Sequence, residues 1–437
     1  MKYSELPENN KFCVLAWRGA HIMPSGETVA CCMQTYGHYD IRDYDVKQSL
    51  GQKTFGTIRD SAEWRRMRKD LIQGIETKPC ESCWHNERKG FNSLRLEKNR
   101  TLRHLLNDIE INEDGSLADH KVSYWDIRDN NLCNMKCVMC GPGLSSLWNE
   151  EAFKHGTQRP VGNKAVIHVD DNSIESVEEI LERHIEHAES FYFAGGEPLI
   201  NDTHWKILDM LVERKMFHVT LFYNSNLLKL NYKGKDAIEY WKQFKEVHVG
   251  ASIDAIGSRA EYSRAGTVWS AIDKNAKRMM QELPGSLGLS TTTNILTLGG
   301  LTDLFNWVGE LGIHYGKFGY SNILVSPWFL NFNILPKDYR MRELDRIERF
   351  INSIDTKYQH HFKQRGWQKL QDALNDEVED PAILAYRRWY FKHYCTRLDD
   401  VRGNSLIDAC PELKPFWDSI DLKNCPEKPR GAFGGDE

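Results

Sequence analysis

Hydrophobic positions are patterned differently in successive parts of the chain. Between residues 122 and 335, short apolar or β-branched runs recur: VSYWDI, SFYFAG, FHVTLFY, VHVGASI, LGLSTTTNIL and KFGYSNILV. The stretches between them, such as SIESVEEILERHIEHA, HWKILDMLVERK and WSAIDKNAKRMMQEL, space their apolar residues as one helix face does. Strands alternating with helices predict βαβ units and a parallel sheet.

The first 95 residues read otherwise, being rich in Gly, Cys and Trp. Within them SAEWRRMRKDLIQG predicts a helix that stops at Gly74. The segment EKNRTLRHLLNDIEINEDGSLADH predicts a helix and then a polar linker with an EDGS turn. From residue 336 the pattern is helical, and the tail KNCPEKPRGAFGGDE is expected to fray. The expected divisions are thus 1–95, a linker over 96–121, 122–335 and 336–437. Six strands in the third division predict an α/β fold, a partial (β/α)6 TIM barrel with a Cys-rich domain before it and helices after it. Ligands of such a barrel sit at the carboxyl ends of its strands.

Composition narrows the class. Of 437 residues, 41% are hydrophobic and 27% charged, the balance of an ordinary globular protein. A formal net charge of −5 argues against a nucleic-acid partner held by a basic surface. No run of about 18 apolar residues predicts a membrane span. The start, MKYSELPENNKF, lacks the basic-then-apolar pattern of a signal peptide. A cytoplasmic, reducing setting is expected, where disulfides are rare.

Eleven cysteines then need another explanation. They stand at 13, 31, 32, 80, 83, 133, 137, 140, 395, 410 and 425, with none from 141 to 394. Clustering of this kind favours metal ligation. Cys133, Cys137 and Cys140 have the spacing C-x3-C-x2-C, just after the first predicted strand. Three thiolates could hold an iron–sulfur cluster with one iron open, a zinc ion short of its usual fourth ligand, or nothing, as buried thiols.

With its surroundings, this trio resembles the signature of the radical SAM superfamily. Met139 takes the position that is commonly aromatic in that family, and its thioether is still apolar and polarizable enough to cover an adenine ring. The motif FAGGEPL resembles the family's GGE motif. Gly195 and Gly196 would permit close backbone approach, and Glu197 would accept from the cofactor's amino group. In YNSNLL, Ser225 and Asn226 align with a turn of the family. In GASIDAIG, Ser252 and Asp254 resemble its S-x-D-G pattern, with Ala255 in place of Gly. The period of two would point both along one strand face, toward the cofactor's carboxylate and ribose. Arg264 is the candidate carboxylate clamp and Asn294 a candidate ribose contact. For these polar residues, capping and turn roles are the competing reading.

The front cysteines form a second constellation, with C-x12-G-x4-C from Cys13 to Cys31 and C-x2-C from Cys80 to Cys83. Four thiols in two pairs close a site completely, for zinc or for an iron–sulfur cluster. The spacing is similar to that of the twitch domain, a short form of the SPASM domain, which binds an auxiliary [4Fe-4S] cluster. Cys32 is the alternative ligand to Cys31. Twitch domains usually follow the barrel, whereas this one precedes it. Cys395, Cys410 and Cys425 match no ligand pattern, and RRWYFKHY reads as a packed helix face.

The resemblance implies S-adenosyl-L-methionine, a [4Fe-4S] cluster with three Cys ligands, a second with four, and an electron donor such as flavodoxin or ferredoxin. The implied activity is reductive cleavage of S-adenosylmethionine to a 5′-deoxyadenosyl radical that abstracts hydrogen from a substrate. A closed second cluster suits a net oxidation of a peptide or protein side chain. A small-molecule dehydrogenase or cyclase and a non-enzymatic zinc-stabilised scaffold are the alternatives. Asp126, Arg128 and Tyr223 are candidate pocket residues, and no catalytic base is identifiable.

Overall fold

All six expected strands form, and three more from the front of the chain extend the same sheet. The computed structural model describes residues 1–34 and 48–429. The front part supplies β1 (Gly19–Ile22), β2 (Glu27–Val29) and β3 (Gln48–Ser49), and β4 is Tyr124–Ile127. A short β5 (Lys136–Cys137) precedes β6 (Ser190–Phe193) and β7 (Thr220–Ser225). After the small hairpin β8 (Asn231–Tyr232) and β9 (Lys235–Asp236) come β10 (Val247–Ala251) and β11 (Arg264–Ala265). The last two are β12 (Leu287–Thr293) and β13 (Phe318–Ile323).

The nine-stranded sheet has the order β13-β12-β10-β7-β6-β4-β1-β2-β3. From β4 to β13 every pairing is parallel and follows chain order, so each crossover returns to the next position. β1 continues the parallel set by pairing with β4, His21 opposite Asp126, and β2 and β3 close that edge antiparallel. The fold is therefore mixed α/β with a mostly parallel central sheet. The front residues are built into it.

Alternation decides the faces. In β7 and β12, alternate residues are buried and half-buried, so one face meets helices while the other is partly open. On the covered face Trp125, Phe191, Phe193 and Tyr223 stack in a row, with centroids 6.2, 5.6 and 5.0 Å apart. The helices Val177–His184, Asp202–Glu213, Trp269–Glu282 and Leu301–Glu310 bury Ile180, Leu208, Ile272 and Leu304 there. Ser61 caps the front helix Ala62–Ile72 through the Trp64 amide.

The segment 96–121 begins inside the helix Leu94–Thr101, and Arg68 fastens its later part by donating to the Gly115 carbonyl. Beyond 336 the chain is helical, with Lys337–Ser353 and Pro381–Arg402 the longest pieces. Of the tail expected to fray, residues 430–437 lie outside the described residues. No helix among the described residues is long and apolar enough to cross a membrane.

Candidate active site

The loops leaving β4, β6, β7 and β10 meet at the carboxyl edge of the sheet and enclose a cavity of about 350 Å³. Cys133, Cys137, Met139 and Cys140 line it from the first loop, and Gly195, Gly196 and Glu197 from the second. Asn224 and Asn226 come from β7 and the residues just after it, with Ser252 and Arg264 beyond β10.

Local bonding explains the shape of the cysteine loop. The Cys133 amide donates to Ser146 Oγ (3.2 Å), and the Cys140 amide to the Cys137 carbonyl (2.9 Å). The indole N–H of Trp148 holds the Cys137 carbonyl at 2.7 Å. Burial pushes all three thiols up, Cys140 to about 12, so a metal would have to displace their protons.

The glycine loop is packed against this one. Gly195 and Gly196 have φ of 74° and 53°, a region that costs other residues strain. A Cβ on Gly195 would stand 2.8–2.9 Å from the Arg128 side chain, and one on Gly196 would strike the Leu132 carbonyl. The Glu197 amide donates to that same carbonyl at 2.8 Å. The close approach these glycines permit is thus to the chain itself as well as to the cavity.

Glu197 accepts from the Ser225 hydroxyl (2.8 Å) and from the amides of Asn226 (2.8 Å) and Leu199 (3.2 Å). Burial outweighs these bonds and raises its carboxyl to about 7. Ser225 supports Glu197 from behind rather than lining the cavity, while Asn226 ties its loop to Asn134 at 2.8 Å.

Ser252 and Asp254 part company because β10 ends at Ala251, where the period of two stops. Ser252 lines the cavity; Asp254 turns away, accepting from Arg264 (2.7 and 3.0 Å) and from the Thr292 amide (2.8 Å). Most of the Arg264 fork is engaged by that carboxylate, and its Nη1 donates to Cys137 Sγ at 3.7 Å. Asn294 lies outside the lining, with its side chain on the Leu296 amide and the Thr292 carbonyl. Tyr223 is buried against His204, on the covered face. Asn224 also lines the cavity, from the half-buried face of β7 that it shares with Thr220 and Phe222; its place near the strand's carboxyl end is the signal for it in the sequence.

Cys13, Cys31, Cys80 and Cys83 surround a second, smaller cavity, lined otherwise mostly by apolar side chains together with Gln34 and Arg95. Burial raises each thiol, Cys80 to about 11 and Cys13 to about 12. Cys32 does not line this cavity. It bonds to Asp126, whose carboxylate accepts from Arg128 (3.0 and 3.1 Å) and lies 3.0 Å from His21 Nδ1. Burial would raise Asp126, but His21 and Arg128 outweigh it and hold the carboxyl below its usual range.

None of the eleven cysteines is in a disulfide. Cys395 and Cys410 are buried and Cys425 is exposed. Among the described residues, no three His, Cys, Asp or Glu side chains converge as the ligands of a single metal ion. The main cavity suits a cluster: it is thiol-rich and flanked by polar groups that could receive a second molecule. The front cavity, about 20 Å³, brings four thiols together.

Residues 127–304 match the family model described as the Radical SAM superfamily. No curated protein matches the chain. A domain of this family implies an enzyme that uses S-adenosylmethionine and a [4Fe-4S] cluster for radical chemistry.

Proposed function

We propose that the radical SAM superfamily domain of this protein is an incomplete six-stranded barrel acting on a peptide or protein side chain in a net oxidation. The carrying observation is that Cys133, Cys137, Cys140 and Glu197 line one cavity at the strand carboxyl ends. When bound there, the cluster supplies the electron that cleaves S-adenosylmethionine to a hydrogen-abstracting 5′-deoxyadenosyl radical.

The chain's own residues bind and orient. Glu197, ionised, would receive the cofactor's amino group, with its carboxylate held in place by Ser225 and two backbone amides. Met139, which lines the cavity from the cysteine loop, would offer its thioether to the adenine. Asn226 and Ser252 supply polar contacts from the two following loops. Asp254 acts through Arg264, fixing the guanidinium beside Cys137.

The front cavity supports a twitch-like auxiliary [4Fe-4S] site with Cys13, Cys31, Cys80 and Cys83 as ligands. A site with four protein ligands leaves no open iron, which suits electron transfer out of an oxidised substrate. Delivery of electrons by a flavodoxin or ferredoxin completes the reading.

Anaerobic reconstitution tests it. The holoprotein should contain iron and sulfide, absorb in the visible, bleach on reduction, and release 5′-deoxyadenosine from S-adenosylmethionine. Cys137→Ala should abolish that release, whereas Cys80→Ala should retain it and lose substrate turnover. Zinc alone, with no cofactor cleavage, would overturn the proposal.

A further inference from the structure

One helix from the last part of the chain grips the cysteine loop. The helix Pro381–Arg402 begins at an Asp380 cap and ends at Gly403, whose φ is 64°. Tyr394, buried on this helix, donates its hydroxyl to the Val138 carbonyl (3.1 Å) and accepts from the Gln158 amide (3.1 Å). Gln158 also donates to the Cys140 carbonyl at 3.3 Å. Further along the helix, Asp399 accepts from the Tyr262 hydroxyl (2.8 Å) and, on its other oxygen, from the Leu406 amide (3.0 Å).

These two contacts flank the two strands of one ribbon, Val138 just after β5 and Tyr262 just before β11. β5 and β11 pair antiparallel, with Cys137 directly opposite Arg264. Val138, next to Cys137, donates its amide to the Ser263 carbonyl at 2.8 Å. Tyr262 stands just before that pair, near the end of the helix Gly257–Ser263 that leads into β11. The Pro381–Arg402 helix therefore fastens the ribbon beside both strands, and the ribbon's register sets the 3.7 Å contact from Arg264 Nη1 to Cys137 Sγ.

Hydrogen bonds to ligating sulfur are among the levers that set a cluster's reduction potential, and partners behind the ligands hold them in place. We propose that Tyr394 and Tyr262 are positioning residues: by anchoring the ribbon to the helix Pro381–Arg402, they hold the Arg264 guanidinium on Cys137 and tune the group the cysteine trio binds. This rests on the reading that the trio holds an iron–sulfur cluster. An N–H···S contact withdraws charge from sulfur and favours the reduced state, so loosening it moves the potential more negative. A role confined to packing would change stability and leave the potential in place.

The test uses the reconstituted full chain and Tyr394→Phe and Tyr262→Phe, which each remove one hydroxyl. The midpoint potential is read on the part of the electron paramagnetic resonance signal that shifts when S-adenosylmethionine is added. Expected are wild-type iron content and a more negative potential in both variants. Arg264→Lys should shift the potential the same way, and Tyr394→Phe should add nothing to it. In chain stripped of iron, the Val138 amide should exchange hydrogen faster in Tyr394→Phe, which covers a variant that loads poorly. Unchanged potentials at full iron content, or additive shifts with Arg264→Lys, overturn the inference. Wild-type protein without any cluster defeats both it and the functional reading.

Discussion

The Cys32 thiol bonds to the Asp126 carboxylate, while Cys31, its neighbour in the chain, faces the front cavity. Adjacent thiols thus serve two different surroundings. Cys31→Ser should remove the front group, about half of the iron if each site holds four. Cys32→Ser should leave total iron at the wild-type level. Iron and sulfide assays on the two reconstituted variants distinguish them, and equal losses would contradict the assignment.

The same carboxylate anchors two strands. Asp126 on β4 faces His21 on β1, and both side chains are fully buried. Asp126→Ala would leave Arg128 and His21 buried without their carboxylate. Breaking a buried pair in this way costs about 3–5 kcal/mol. A denaturant titration should show the lowered midpoint, and Asp126→Asn should lose less.

Glu197 gives the site a pH dependence of known sign. Its carboxyl keeps a proton to about pH 7 in the folded chain, against the ordinary value of 4.5. Between those values the folded state binds more protons than the unfolded one, so this group's contribution to stability falls as pH rises. That contribution is complete below 4.5 and lost through about 7. It is on the order of 3 kcal/mol. Stability measured across this window should decline more in wild type than in Glu197→Gln. S-adenosylmethionine binding should show the opposite trend, tightening about tenfold between roughly pH 6 and pH 8 as the carboxylate forms. The Gln variant should stay flat.

Gly196→Ala should disable the main site alone. An alanine at φ 53° carries about 1–2 kcal/mol of strain, and its Cβ would meet the Leu132 carbonyl at the start of the cysteine loop. The expected result is loss of 5′-deoxyadenosine release, with any iron held by the four front cysteines retained. Full activity in this variant would show that the two loops need not touch.

Much of this was legible because it is local. The six parallel strands each announced themselves by a short apolar run, and the helices between them by a single apolar face. The spacing of Cys133, Cys137 and Cys140, and the two glycines before Glu197, are likewise properties of a few consecutive residues. Asp254 shows where local reasoning stops: the period of two assumes a strand, and β10 ends before reaching it. Asn294 lies in a turn that uses its amide internally.

The sequence by itself determined the parallel α/β core, the residue types at the carboxyl edge and the two separate groups of thiols. Only the tertiary structure decided that β1 joins the sheet beside β4, that Cys32 turns to Asp126, and that Tyr394 reaches the cysteine loop. Each of these joins residues far apart in the chain. Strand pairing across such distances, and a hydroxyl meeting a remote carbonyl, depend on how whole elements pack. No periodicity or spacing within either partner encodes the meeting.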